Sequence, residues 1–318
     1  MSLLNHSYHF DPSYGYCLET LLKVPIPTEP DDFQQFWQSR YGKALMANSD
    51  IKLSEDKACH ADFAVRDIVY QSTDSFSIGG WLLTPKASRP RKGMVIGHGY
   101  GGRDAPDFDF PSRDTAFIFP CFRGLSRSAC HGVSSNPAYH VLHDIDKPDR
   151  YILGGCVEDI WIAVSALLQI CPELEGHIGY QGTSFGGGIG AMAVAWDPRI
   201  QLAALNVPSF GCQALRLGLA TTGSGAAVSM YHRRHGNVMD TLQYYDAALS
   251  AQHISIPVHV AAALFDPVVA PPGQFAVYNG LTGPKQLFVA TAGHFDFPGR
   301  EEQESKLLNE LKTFFDPL

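Results

Sequence analysis

One serine sits among six glycines in GYQGTSFGGGIGAM, residues 179–192. Gly182-Thr183-Ser184-Phe185-Gly186 satisfies the G-x-S-x-G pattern of a nucleophile elbow, in which a serine is lifted out of a sheet on a tight strand-to-helix turn. Gly186-x-Gly188-x-x-Ala191 also satisfies the loose dinucleotide-binding fingerprint, in which glycines cradle a pyrophosphate. The second reading needs an acidic residue about 20 positions further on to hold the ribose hydroxyl. The sequence there is QLAALNVPSFG, which has no acid. The match also begins inside the helical run instead of in the turn before it. No nucleotide cofactor is expected, and Ser184 stands as the candidate nucleophile.

A serine hydroxyl attacks only when a base takes its proton, and the base needs an acid to orient it. Asp266 ends the strand-like run PVHVAAALFD, and His294 follows KQLFVATAG. Both fall where a parallel sheet presents loop residues at its carboxyl edge, in the order serine, acid, histidine. The developing oxyanion needs two backbone N–H donors. Phe185, directly after the serine, supplies one. The run GMVIGHGYGG supplies the other from the loop after its strand, with Tyr100 as donor. His98 precedes the serine and reads as a core or supporting histidine. His140/His143 and His232/His235 have i, i+3 spacing without a third ligand nearby, so no metal site is expected.

These residues need a scaffold. From Lys92 onward, GMVIG, TAFIFP, HIGYQG, LAALNVP, PVHVAAALF and KQLFVAT are short apolar runs, with helical segments between several of them. That alternation predicts a parallel α/β sheet whose ligands bind beyond the carboxyl ends of its strands. FAVRDIVYQS from Phe63 and FSIGGWLLTP from Phe76 alternate and are joined by a short turn, predicting an antiparallel hairpin. Residues 1–60 read as an N-terminal extension whose helix begins at Pro30 and Asp31, with Phe33, Phe36, Trp37, Tyr41 and Leu45 on one face. Residues 209–253 break the rhythm with helical sequence, a candidate cap over the carboxyl edge. The expectation is one domain, 1–318, with these two decorations.

Composition narrows the partners. The 318 residues carry a net charge of −8 and no Lys/Arg-rich block, which argues against nucleic acid and anionic membrane surfaces. The seven cysteines are scattered and never spaced C-x-x-C, which predicts reduced, mostly buried thiols. The stretch MSLLNHSYHFDPSYGYC has no basic start followed by an apolar run. No uninterrupted apolar stretch approaches the roughly 20 residues of a membrane span. A cytoplasmic location is expected on these grounds.

Several segments coincide with one family. PDDFQQFW at Pro30, G-H-G-Y-G-G at Gly97, FRG at Phe122, GTSFGGG at Gly182, DPVVAPP at Asp266, AVYN at Ala276 and GH at Gly293 occur in order along nearly the whole chain. In these the sequence resembles the acetyl xylan esterase/cephalosporin C deacetylase group, carbohydrate esterase family seven, within the α/β-hydrolases. The resemblance implies an α/β-hydrolase fold with a mostly parallel sheet flanked by helices. It also implies a Ser184-His294-Asp266 triad, a Tyr100/Phe185 oxyanion hole, no cofactor, a small-molecule ester as substrate and often a ring-shaped hexamer. The family usually has R-G-Q, G-x-S-Q-G and H-E where this chain has Leu125, Phe185 and Phe295. Those replacements predict a more apolar rim, open to acyl groups longer than acetyl. A serine carboxylesterase acting on short acyl esters of carbohydrates or similar alcohols follows. A peptidase or lactonase on the same scaffold, or a silent hydrolase-like binding protein, stays open.

Overall fold

The computed structural model describes residues 4–109 and 112–318. The first three residues of the N-terminal stretch read above thus lie outside it. Nine strands form one sheet: β1 (Lys52–Leu53), β2 (Phe63–Gln71), β3 (Ser77–Pro85), β4 (Lys92–Gly97), β5 (Thr115–Pro120), β6 (Ile178–Thr183), β7 (Ile200–Asn206), β8 (Val258–Ala263) and β9 (Lys285–Ala290). Their order is β1-β2-β3-β5-β4-β6-β7-β8-β9. The last six strands in that order run parallel, and β1–β3 add an antiparallel wing. The expected hairpin is β2–β3, in register from Phe63 opposite Pro85 to Gln71 opposite Ser77.

Strand periodicity divides the core in two. Met94 and Ile96 of β4 and Phe117 and Phe119 of β5 face one side, while Val95, Ala116 and Ile118 face the other. Both sides are covered, so these strands read as continuous apolar runs. Eleven helices accompany the sheet among the described residues: α1 (Leu18–Leu21), α2 (Phe33–Leu45), α3 (Pro137–His140), α4 (Ile152–Ile170), α5 (Phe185–Val194), α6 (Gln213–Gly218), α7 (Ser224–His235), α8 (Met239–Leu242), α9 (Ala247–Ala251), α10 (Pro271–Gly280) and α11 (Arg300–Phe314). The larger core packs α2, α4, α5, α9 and α10 on one face. On the other, α11 contributes Leu311 and Phe314 to a second core that includes Met94 and Phe117. By length and composition alone α4 would cross a membrane, but most of it is buried within this fold.

Three details depart from the sequence reading, the first being that the helix expected from Pro30 and Asp31 begins at Phe33. Leu45 is exposed, and Ala44 takes the buried place beside Phe33 and Trp37. At 3.6 residues per turn, the eleventh residue after Phe33 lies about 20° from its azimuth and the twelfth about 120°. The 209–253 stretch is helical, as α6–α9, but its last helix is buried against α5 and α10 and so belongs to the body of the fold. The Asp246 carboxylate ties α6 to α9 by accepting the amides of Cys212, Gln213, Ala248 and Leu249. All seven cysteines are free, four of them buried.

The chain order reverses about β4, with β5 on one side and β6 on the other. The crevice at a parallel sheet's carboxyl edge forms at such a reversal. It lies between the loop after β4, at Tyr100, and the turn after β6, at Ser184.

Candidate active site

Ser184 forms the turn between β6 and α5 with φ 57° and ψ −111°, a conformation a non-glycine residue holds only under constraint. The constraint is visible. Its N–H donates to Asn206 O (2.8 Å), and its C=O accepts the amides of Gly188 and Ser209 (both 3.0 Å). Glycines make room for the turn. A β-carbon on Gly182 would collide with the Gly186 carbonyl, and one on Gly186 would come within 2.8 Å of the His98 oxygen.

The structure brings the three separated residues together. His294 Nε2 lies 2.8 Å from Ser184 Oγ, and His294 Nδ1 lies 2.8 Å from Asp266 Oδ2. Asp266 follows β8 and His294 follows β9, so adjacent parallel strands deliver them to the same edge. Asp266 is fully buried. Its Oδ1 accepts the amides of Val268 (2.8 Å) and Val269 (2.9 Å), which leaves Oδ2 for the histidine. An acid held this way fixes the imidazole with its proton on Nδ1 and Nε2 ready to accept.

Gln274 on α10 completes the acid's setting, and no sequence pattern pointed to it. Its Nε2 donates to Asp266 Oδ2 (2.9 Å) and Val269 O (2.6 Å), while its Oε1 accepts Ala263 N–H (2.8 Å). Gly293 matters for a different reason: a β-carbon there would lie 2.5 Å from Asp266 Oδ2.

The two expected oxyanion donors lie beside the serine. Phe185 is the first residue of α5, so its N–H has no partner within the helix, and the helix terminus favours negative charge there. Among the described residues neither the Phe185 nor the Tyr100 amide is engaged. A β-carbon on Gly99 would sit 3.8 Å from Ser184 Cβ, and the Tyr100 and Phe185 rings pack with centroids 4.0 Å apart. His98 clamps this loop: its Nδ1–H donates to Gly99 O (2.6 Å), and its Nε2 accepts Phe122 N–H (3.0 Å). His140 does the same from α3, accepting from Tyr100 OH (3.1 Å) and donating to Arg123 O (2.9 Å). Burial pushes both imidazoles down to about 4. With both its nitrogens engaged, His140 is committed to this clamp.

Arg123 is buried and anchors the region beneath. Its guanidinium pairs with Asp159 at 2.7 Å and donates to Ser72 and Thr73. The apolar rim expected from the three replacements is corrected here. Leu125 is 2% exposed and Phe185 is 0% exposed, so both face the core. The Phe185 ring is enclosed by Tyr100, Phe122 and Phe210. Phe295 stays half-buried, packed on Phe265 and Tyr8.

Known proteins share this fold. The curated acetyl esterase Axe7A of Xylanibacter ruminicola is 24% identical over 298 residues, which cover 89% of this chain and 66% of that one. The chain thus spans about two thirds of that relative's length. Two solved structures superpose over nearly their whole length. An acetyl xylan esterase from Paenibacillus sp. R4 gives a TM-score of 0.82 at 23% identity, covering 93% of this chain and 99% of that one. Acetyl xylan esterase 1 from Thermoanaerobacterium sp. JW/SL YS485 gives 0.80 at 20%, covering 95% and 99%. A Pyrococcus horikoshii acylaminoacyl peptidase is more distant, at 0.62 and 15% identity, with 81% of this chain matched to 42% of that one; it shares the α/β-hydrolase fold. The family model described as acetyl xylan esterase (AXE1) matches residues 17–310, and with that span the chain belongs to the acetyl xylan esterase family of ester hydrolases.

Proposed function

We propose that this protein hydrolyses acetyl and other short acyl esters of carbohydrates or similar small alcohols, using Ser184 as nucleophile, His294 as general base and Asp266 as its orienting acid. The observation that carries this reading is the unbroken relay of two 2.8 Å contacts from Ser184 Oγ through His294 to a buried Asp266. His294 Nε2 takes the serine proton as Oγ attacks the ester carbonyl. The carbonyl oxygen gains negative charge and is met by the Tyr100 and Phe185 amides. The tetrahedral adduct then expels the alcohol, protonated by His294. A water, deprotonated by the same imidazole, attacks the acyl-serine and releases the acid. Asp266 stabilises the imidazolium at each stage without taking its proton. No cofactor has a role in this scheme.

Turnover of p-nitrophenyl acetate and of an acetylated xylooligosaccharide by wild type and Ser184→Ala tests it. Loss of about 10⁴-fold or more in kcat with the fold intact is expected. More than a tenth of the activity surviving in Ser184→Ala contradicts the assignment. An N-acylaminoacyl amide turned over faster than either ester replaces the esterase reading with a peptidase one.

A further inference from the structure

Six arginines lie with their guanidinium groups over aromatic rings among the described residues: Arg40, Arg103, Arg123, Arg127, Arg199 and Arg216. The first five each pair with a carboxylate. Among the described residues Arg216, on α6, pairs with none. Among the described residues its guanidinium makes one hydrogen bond, to the neutral Gln213 Oε1 at 3.0 Å, and lies 5.1 Å from the Phe210 ring centroid. A guanidinium has five donors, so most of this one's capacity is unspent. The nearby Asp246 carboxylate is occupied by the amides of Cys212, Gln213, Ala248 and Leu249. The phenols of Tyr100 and Tyr151 complete the charged and titratable surroundings. Burial pulls Arg216 below the usual arginine range, although the residue keeps partial access to solvent.

A second polar group is left over beside it. Thr221 Oγ1 is buried with no hydrogen-bond partner. It and Arg216 Nη2 border the same point, 2.5 and 3.5 Å from where a β-carbon on Gly225 would lie. The same stretch of chain reaches both sides of the reacting centre. Phe210 packs on Phe185, the residue after the serine, and Ser209 N–H donates to Ser184 O. The amide of Thr222 donates to Pro267 O, next to the triad acid. The segment that carries these donors thus touches both Phe185, on the oxyanion side, and the acid loop at Pro267.

We propose that Arg216, with Thr221, forms a carboxylate-binding subsite, and that the esters this enzyme prefers carry a free carboxylate in either the acyl or the alcohol part. This rests on the serine-hydrolase reading above. A planar guanidinium matches a carboxylate through paired N–H donors, and in a site screened from water that pairing is strong. No bond is made or broken at this subsite; it orients the substrate.

Two matched pairs of esters test it and separate the two sources of the carboxylate. For the acyl side the pair is p-nitrophenyl hemiglutarate and p-nitrophenyl methyl glutarate. For the alcohol side it is 4-acetoxybenzoate and methyl 4-acetoxybenzoate. In one pair, kcat/KM of the wild type should favour the charged member by about ten- to a hundredfold, the range of one charge-assisted hydrogen bond. In Arg216→Met that ratio should collapse towards one, and Arg216→Lys, which keeps the charge without the fork, should fall between. A wild-type ratio near one in both pairs, or a ratio unchanged in Arg216→Met, overturns the proposal. If no ester is hydrolysed, it is the hydrolase reading that has failed. Calorimetric titration of glutarate into wild type and Arg216→Met then decides the subsite: weaker binding to the variant supports it, and equal or absent binding sinks it.

Discussion

Replacing Gln274 by leucine should damage the reaction through Asp266 without touching the serine or the histidine. The glutamine makes three buried contacts, to Asp266 Oδ2, Val269 O and Ala263 N–H. The first is charge-assisted and contributes about 1.5–3 kcal/mol. Stranding the Ala263 amide costs about 1–3 kcal/mol more. Together these predict a stability loss of about 3–5 kcal/mol, seen as a fall of about 5–10 °C in Tm. They also leave Oδ2 held by His294 alone, so the acid can rotate away from the geometry its Oδ1 contacts favour. A fall of about ten- to a hundredfold in kcat for p-nitrophenyl acetate is expected, with KM changing less than about threefold. Gln274→Glu separates positioning from simple packing. It sets a second carboxyl group beside Asp266, and two carboxylates that close cannot both ionise freely. Its activity relative to wild type should therefore be highest at acid pH, where the introduced carboxyl is protonated and donates, and should fall as pH rises. Unchanged kcat in Gln274→Leu despite a lower Tm, together with a flat pH ratio in Gln274→Glu, would refute the positioning role.

Gly293→Ala forces a β-carbon to within 2.5 Å of Asp266 Oδ2, so the acid or the histidine loop has to move. A loss of about a hundredfold in kcat/KM with little change in the circular dichroism spectrum is expected, and a variant within about fivefold of wild type contradicts it. Acid should weaken the fold through His98 and His140. Both are held down to about 4 against about 6.5 in the unfolded chain, so their contribution is whole above pH 6.5 and is lost as pH falls through 4. Linkage puts this at up to about 3 kcal/mol each by pH 4. Urea midpoints should drop steadily from pH 7 to 4.5 and less steeply in His140→Gln; identical slopes would remove His140 from the account.

Much of the scaffold was legible because buried parallel strands write themselves as short apolar runs ended by glycine, proline or aspartate. The runs at Lys92, Thr115, Ile178, Ile200, Val258 and Lys285 all became strands. The spacing of Ser184, Asp266 and His294 at three strand ends carried the site for the same reason. Gln274 was hidden because its helix, PPGQFAVYNG, would look the same with the glutamine facing solvent. Its role appears only once α10 packs against β8. The i, i+3 spacing of His140 and His143 suggests only a metal pair, whereas the clamp His140 makes reaches 40 residues back to Tyr100. Replacement of polar residues by Leu125 and Phe185 points to an apolar rim, yet apolar side chains beside a site go to the core when the core has room for them. The Phe185 backbone keeps its expected place while its ring faces inward.

The central claim, that Ser184 is the activated nucleophile, is tested most directly by reaction with a fluorophosphonate followed by intact-mass measurement and peptide mapping. One adduct per chain is expected, on the peptide containing Ser184, with p-nitrophenyl acetate hydrolysis lost in proportion to the fraction modified and no adduct formed by Ser184→Ala. An adduct on another residue, or full modification of Ser184 with hydrolysis undiminished, would contradict it.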